Sequence, residues 1–405
     1  MHVRILPLAL TGALALGLTS CAPTPAVPTP TSATSDGVGH GAIAGAEEVA
    51  EPQLGLTWID AEGGVSHLDL LDESVAELGT TGAPEAMTTD GRYLFVETAD
   101  GIEIVDSGVW TWDHIDHFHY YRAAPDLLGS VDGAGPVTVA TTNLSTTGGT
   151  GVFFAGSGEA VLLDTAALSK GEVAELFRLD VDPHDGLVVP VGSFALVTDG
   201  RGAVDGYTAG GDPTGLTETC VDPAGTITTR VGAVIGCADG ALLASVVDDE
   251  LSVERIPYPA GSSAPRALSF DNREGRPTVA GLAGDRGIWL LDTRARSWAL
   301  LPSPAPIVSV TAVDDDDDHV LALTRDGRVL VLSGADGTVL AQTEPLVAGS
   351  LADGASPTLI ADQHRAYLSG PTESHLFEID YADDARIART FDTATEPAFT
   401  AETGR

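Results

Sequence analysis

From residue 53 onward the chain repeats one short pattern, and that pattern limits the fold more than any other feature. The stretch TTDGRYLFVETADGIEIVD (residues 88–106) reads as a turn, an apolar strand, a second turn and a strand ending in Asp. Related stretches follow: VFFAGSGEAVLLD (152–164), PTVAGLAGDRGIWLLD (277–292), VLALTRDGRVLVLSGADGTVL (320–340) and PTLIADQHRAYLSGPTESHLFEID (357–380). Weaker copies cover residues 184–207 and 220–247, and QLGLTWIDAEGGVSHLDLLD (53–72) is a partial one. The strands are rich in Val, Leu, Ile and Thr, as pleated half-buried segments are. Their Asp-Gly, Gly-Asp and Gly-Gly turns suit tight hairpins. A spacing of roughly 40–50 residues matches propeller blades. The chain is therefore expected to be all-β, a single β-propeller of seven blades, with eight as the alternative. The partial N-terminal unit would pair with the C-terminal strands and close the ring, leaving no long open sheet edge. Helices are scarce; residues 168–177 could form a short one.

The segment before the repeats has a different composition. Arg4 precedes an apolar run over residues 5–18, too short to span a bilayer comfortably and of the right length for the core of an export signal. It ends Leu18-Thr19-Ser20-Cys21, which resembles a bacterial lipobox. That resemblance implies cleavage before Cys21 and a lipid on its thiol; an ordinary secretory signal is the alternative. Residues 22–50 are rich in Pro, Thr, Ser, Gly and Ala, too poor in large apolar side chains to fold. The expected organisation is a signal peptide and lipobox (1–21), a disordered tether (22–50) and the propeller (51–405). The protein would be exported and anchored by lipid to the outer face of the bacterial cell membrane. His40, with Glu47 and Glu48 near it, is read as an idle tether residue, with transient metal capture as the rival.

Export explains the cysteines. Beyond Cys21 there are Cys220 and Cys237, in a compartment that favours disulfides. A bridge between them is favoured over a two-cysteine metal site, because no histidine or third cysteine lies between or beside them.

Charge excludes one class of partner. The chain carries 20 basic and 59 acidic residues, a formal net charge of −39. Nucleic-acid binding needs basic patches and is not expected. The acidic surplus keeps an exported protein soluble and concentrates cations near its surface. The run of aspartates from Asp314 to Asp318 lacks the alternating spacing and glycine of an EF-hand loop and is read as a solvated turn. No HExxH, P-loop or strand-linked GxGxxG motif is present, and no GxSxG elbow. Gly156-Ser157-Gly158 is a hairpin turn between two apolar strands. The protein is not expected to be an enzyme.

One stretch stands apart from the repeats. Residues 106–121, DSGVWTWDHIDHFHYY, place His114, His117 and His119 within six positions, interleaved with Asp113 and Asp116. Trp110, Trp112, Phe118, Tyr120 and Tyr121 surround them in a chain that is only 5% aromatic. Imidazole and carboxylate together suit Zn²⁺ and similar borderline metals, and aromatic neighbours can hold such ligands in place. A polar surface loop with chance histidines is the competing reading. On an extended segment His117 and His119 share a face, since side chains alternate with period two. His114 needs a turn to join them.

With these residues in view, the chain resembles the AztD-type zinc metallochaperones, exported propeller proteins that serve a zinc ABC importer. The resemblance spans most of residues 52–395. It is most specific at DHxDHxHYY followed by Pro125 and Leu127-Leu128-Gly129. It continues at Pro183-His184-Asp185-Gly186 and at Gly236-Cys237-Ala238-Asp239-Gly240. It implies Zn²⁺ as the metal, with His114, Asp116, His117, His119 and His184 as ligand candidates. It also implies a partner, the importer's solute-binding protein, to which zinc is passed. The alternative is a metal-free propeller that binds a protein or cell-wall ligand at the cell surface.

Overall fold

The computed structural model describes residues 41–113 and 117–405. Residues 1–40, which hold the expected signal peptide, Cys21 and most of the tether, lie outside the described residues, as do His114 and Asp116. Among the described residues, no helix is long and apolar enough to cross a membrane.

The repeats fold as antiparallel meanders. In the second sheet, Ala86–Thr89, Tyr93–Thr98 and Gly101–Asp106 run side by side, and Asp126–Asp132 adds the outer edge. Thr98 pairs with Gly101, so only two residues turn the chain. The middle strands are buried almost throughout, as Tyr93–Thr98 is, whereas outer strands such as Glu250–Pro257 alternate exposed and half-buried positions. That contrast is what sheets stacked face to face with a solvated rim require.

Eight such sheets follow one another in the described chain. Each apolar cluster lies between two neighbours. Ile59, Leu94 and Val105 join the first sheet to the second, and Phe95, Ile104, Val152 and Phe154 join the second to the third. Val234, Trp289 and Trp298 join the fifth to the sixth, while Leu56, Trp58, Tyr367 and Leu376 join the eighth back to the first. Every neighbouring pair in between has its own cluster, so the ring is closed. Gly151 marks one close approach: a Cβ there would stand 1.8 Å from the Val188 carbonyl oxygen of the next sheet.

Eight sheets are seen where seven blades were first expected, with eight as the alternative. The partial unit at residues 53–72 is most of a complete sheet. Gly55–Ile59, Gly64–Asp69 and Val75–Thr80 pair in order, and the C-terminal strand Phe399–Thr403 adds the inner edge. The anticipated closure is therefore present, and it supplies the extra sheet. The sixth sheet has three strands, with an isolated bridge between Asp271 and Ala280 standing where an inner strand would run.

Inner strands surround a channel of about 430 Å³. Threonines and asparagines line much of it, among them Thr88, Thr141, Thr226, Asn272 and Thr400.

Three local expectations are corrected. Residues 168–177 are not a helix: Thr165–Leu168 makes a single turn capped by Asp164, and Glu175–Asp180 is a strand. Glu47–Val49, placed in the tether, is a strand paired with Phe118–Arg122. Asp314 is not solvated. Its side chain is buried against Arg276 at 3.2 Å and Arg294 at 3.0 Å, which flank the first two strands of the sixth sheet, and it accepts from Thr278.

Cys220 and Cys237 form a disulfide with both residues fully buried. Cys220 follows the outer strand of the fourth sheet and Cys237 ends a strand of the fifth, so the bridge ties neighbouring sheets together.

Candidate metal centre

The second sheet is interrupted between its third and fourth strands by a hairpin. Val109–Asp113 and Phe118–Arg122 pair antiparallel, and Glu47–Val49 lies along the far side of Phe118–Arg122. This small sheet belongs to no meander. Thr111 donates from its backbone N–H to the Arg405 carbonyl (3.0 Å) and from its hydroxyl to the Gly404 carbonyl (2.7 Å). Both acceptors follow the closing strand of the first sheet. Asp113 forms an ion pair with Arg230 at 3.1 Å, and Arg230 follows the inner strand Thr226–Thr228 of the fifth sheet. Sheets one and five stand four apart in a ring of eight, so the hairpin lies across one mouth of the channel.

Alternation along Phe118–Arg122 sorts its side chains. Phe118 and Tyr120 stack on one face, with Phe118 half exposed. His119 and Tyr121 share the other, their rings 6.3 Å apart and 21° from parallel. Tyr121 is buried against Trp110, whose ring lies 5.3 Å away, and burial pushes its phenol pKa up, with the Glu48 charge adding to that. Trp110 donates its indole N–H to the Gly41 carbonyl at 3.1 Å. Gly41 has φ of +77°, and a Cβ there would meet the Trp112 ring at 2.6 Å, so glycine is required where the N-terminal segment reaches the hairpin.

His117 and His119 converge as their spacing predicts. Their Nε2 atoms are 3.0 Å apart. His119 Nδ1 lies 2.7 Å from Glu48 Oε1. An ionised carboxylate only accepts, so Nδ1 donates to it, and in a neutral ring Nε2 then holds the lone pair and accepts from His117 Nε2. That is the state a metal requires of imidazole, and a carboxylate behind a ligating histidine is the usual way of fixing it. Two imidazoles on one tetrahedral zinc, with Zn–N near 2.0–2.1 Å, hold their nitrogens about 3.3–3.4 Å apart. A movement of a few tenths of an ångström would suit the pair to one ion.

The remaining candidates stand differently. His114 and Asp116 lie in the connection outside the described residues. His184 is held locally: Nδ1 donates to the Asp182 carbonyl at 2.6 Å, Nε2 faces the Thr198 hydroxyl at 2.8 Å, and the ring packs edge-on to Phe153. It belongs to the segment between the third and fourth sheets, and no described contact joins it to His117 or His119. Among the described residues no group of three or more His, Cys, Asp or Glu side chains is arranged to hold a metal. Glu48 is the member that sequence reasoning set aside. In the sequence it reads as part of the tether near His40, and a three-residue strand carries no periodicity that would place it.

The channel mouth beneath the hairpin is acidic. Asp90 is buried, and desolvation pushes its carboxyl up to about 6 against backbone hydrogen bonds from Tyr93 and Arg92. Glu274 is pushed up to about 7 by desolvation, which the nearby Arg405 partly offsets. Asp271 is exposed to the channel space, and desolvation by the protein around it raises it to about 7 as well.

Together, a closed ring of antiparallel sheets and a histidine-bearing hairpin over its channel define a β-propeller with a candidate metal centre. No family model matches the chain, and no curated protein matches it in sequence. Among solved structures it is similar to AztD from Citrobacter koseri, in the apo form and in a second crystal structure. The TM-scores are 0.73 and 0.74, with 20% identity over 87% of this chain and 98% of that one. A weaker likeness is to the dihydro-heme d1 dehydrogenase NirN, at TM-score 0.54 and 13% identity over 88% of this chain and 76% of that one. At these identities the shared property is the fold.

Proposed function

We propose that this chain is an extracytoplasmic zinc-binding metallochaperone that passes zinc to the solute-binding protein of a zinc ABC importer. One observation carries the reading: two imidazole Nε2 atoms 3.0 Å apart, one of them backed by Glu48. The AztD-like fold and the disulfide of an oxidising compartment support it. Zinc is cargo here, not a resident cofactor. His117 and His119 would hold it, with His114 and Asp116 on the same connection as the candidates to complete the set and His184 as a more distant one. Two imidazoles near the surface leave coordination positions open, which suits an ion that must leave again. Protons compete with zinc for imidazole, so acidification releases the cargo. The acidic surface draws cations towards the hairpin. A lipid on Cys21 would keep the protein at the outer face of the membrane, beside an importer.

The test is metal analysis of protein purified without added metal, followed by zinc titration of the His117→Ala/His119→Ala double variant. Stoichiometric zinc in the parent, lost in the folded double variant, is the expected result. Equal zinc affinity in both refutes the assignment to this pair, and a parent that binds no zinc favours a metal-free binding propeller. Transfer is checked by mixing the zinc-loaded protein with the apo solute-binding protein and following zinc between them.

A further inference from the structure

The hairpin is joined to the propeller by a stack of planar groups that neither the repeat nor the metal motif accounts for. At its base is Arg92, whose side chain is completely buried. It immediately precedes the strand Tyr93–Thr98, and Asp106 closes the neighbouring strand Gly101–Asp106. Arg92 Nε and Nη2 donate to the two Asp106 carboxylate oxygens at 3.0 and 2.6 Å. Its guanidinium carbon lies 3.8 Å from the centre of the Trp110 ring. Trp110 lies against Tyr121 at 20° from parallel, and Tyr121 lies beside His119 at 21°. The planes are thus passed from a fork fixed on two rigid strands to an imidazole at the rim.

We propose that Arg92 is a positioning residue for the metal hairpin, fixing the plane of the His119 ring through Trp110 and Tyr121. The inference rests on the metal-binding reading above. Three physical points carry it. A buried ion pair adds little stability over apolar residues of the same volume, so geometry is the better account of its presence. The guanidinium is a planar, permanently charged fork that binds a carboxylate through two nitrogens and stacks on an indole at once, which no other side chain does. His119 needs orientation from more than one side: Glu48 fixes Nδ1 by one hydrogen bond, about which the ring can still rotate, and the flanking Tyr121 ring limits that rotation. Among the described residues, the contacts of Arg92 reach His119 by way of Trp110 and Tyr121.

The experiment uses the full chain, with Zn²⁺ alone competed against a chromophoric chelator and Co²⁺ absorption as the reporter of site geometry. Arg92→Lys keeps the charge but loses the planar fork. Tyr121→Leu removes the last member of the stack and leaves Arg92 and Asp106 untouched, so it serves where the lysine variant does not fold. Each folded variant is expected to bind zinc about tenfold more weakly, the lower end of what outer-shell changes cost, and to shift the Co²⁺ band. Unchanged zinc affinity and an unchanged Co²⁺ spectrum in the folded variants overturn the positioning role while leaving the metal site standing. The His117→Ala/His119→Ala variant separates the two failures: if it binds zinc like the parent, the metal reading fails and this inference falls with it.

Discussion

At the residue scale, burial decides what the acidic surplus does. Most of the 59 acidic residues can remain solvated, but Asp90 and Glu274 sit where the charged form is disfavoured, with carboxyls pushed up to about 6 and about 7. The direction of the linkage follows. A carboxyl raised above its unfolded value makes the folded state hold its proton more tightly. That contribution to stability is complete below the unfolded value, near 4, and is lost as pH rises through about 7. Glu274→Gln should therefore raise the melting temperature at pH 8 and leave it nearly unchanged at pH 4, as scanning calorimetry at the two pH values will show. All three line the channel, but Asp271 is the poorer probe, because it is exposed there whereas Glu274 is half-buried. At this scale the histidines were legible and Glu48 was not. His117 and His119 are two apart on a strand, and period two alone puts them on one face. Glu48 lies 71 positions away from His119 in sequence, and only the pairing of two strands brings it to the ring.

At the element scale, the added strand Glu47–Val49 and the disulfide tie otherwise separable pieces together. Glu48→Gln keeps the shape of the side chain but removes the charge that holds His119 in its metal-ready tautomer. Zinc affinity should fall by about tenfold with the fold unchanged, measured by chelator competition. The bridge between Cys220 and Cys237 closes a loop of 17 residues between two sheets. The chain-entropy model gives such a loop roughly 3 kcal/mol. The Cys220→Ser/Cys237→Ser variant should lose stability of that order in urea unfolding, and thiol labelling of the unreduced folded domain should find neither sulfur reactive. The helix expected at residues 168–177 shows why short elements are hard to read. Its apolar residues fit a helical period and a strand equally, and the chain resolves the choice in favour of strand pairing with Glu159–Asp164.

At the scale of the whole molecule, stability depends on closure. Eight sheets each share apolar side chains with two neighbours, and the first is completed by Phe399–Thr403 from the other end of the chain. A chain cut after residue 398 would leave the Gly55–Ile59 edge unpaired, an open template for association. It should unfold at lower temperature than the full chain and aggregate on heating, which light scattering during a thermal ramp will report.

The sequence by itself determined the strand-rich repeat, the propeller class, the closure by both ends, the disulfide partners and the shared face of His117 and His119. All of these rest on local periodicity, turn chemistry or redox environment, which a linear chain displays directly. Tertiary structure alone decided the number of sheets, because the first is split between the two ends of the chain and looks partial from either one. It also placed the hairpin across the channel mouth, Glu48 behind His119, Asp314 between two arginines and Arg92 under Trp110. Each of those is a contact between residues far apart in sequence, and no local pattern encodes which distant side chain will arrive.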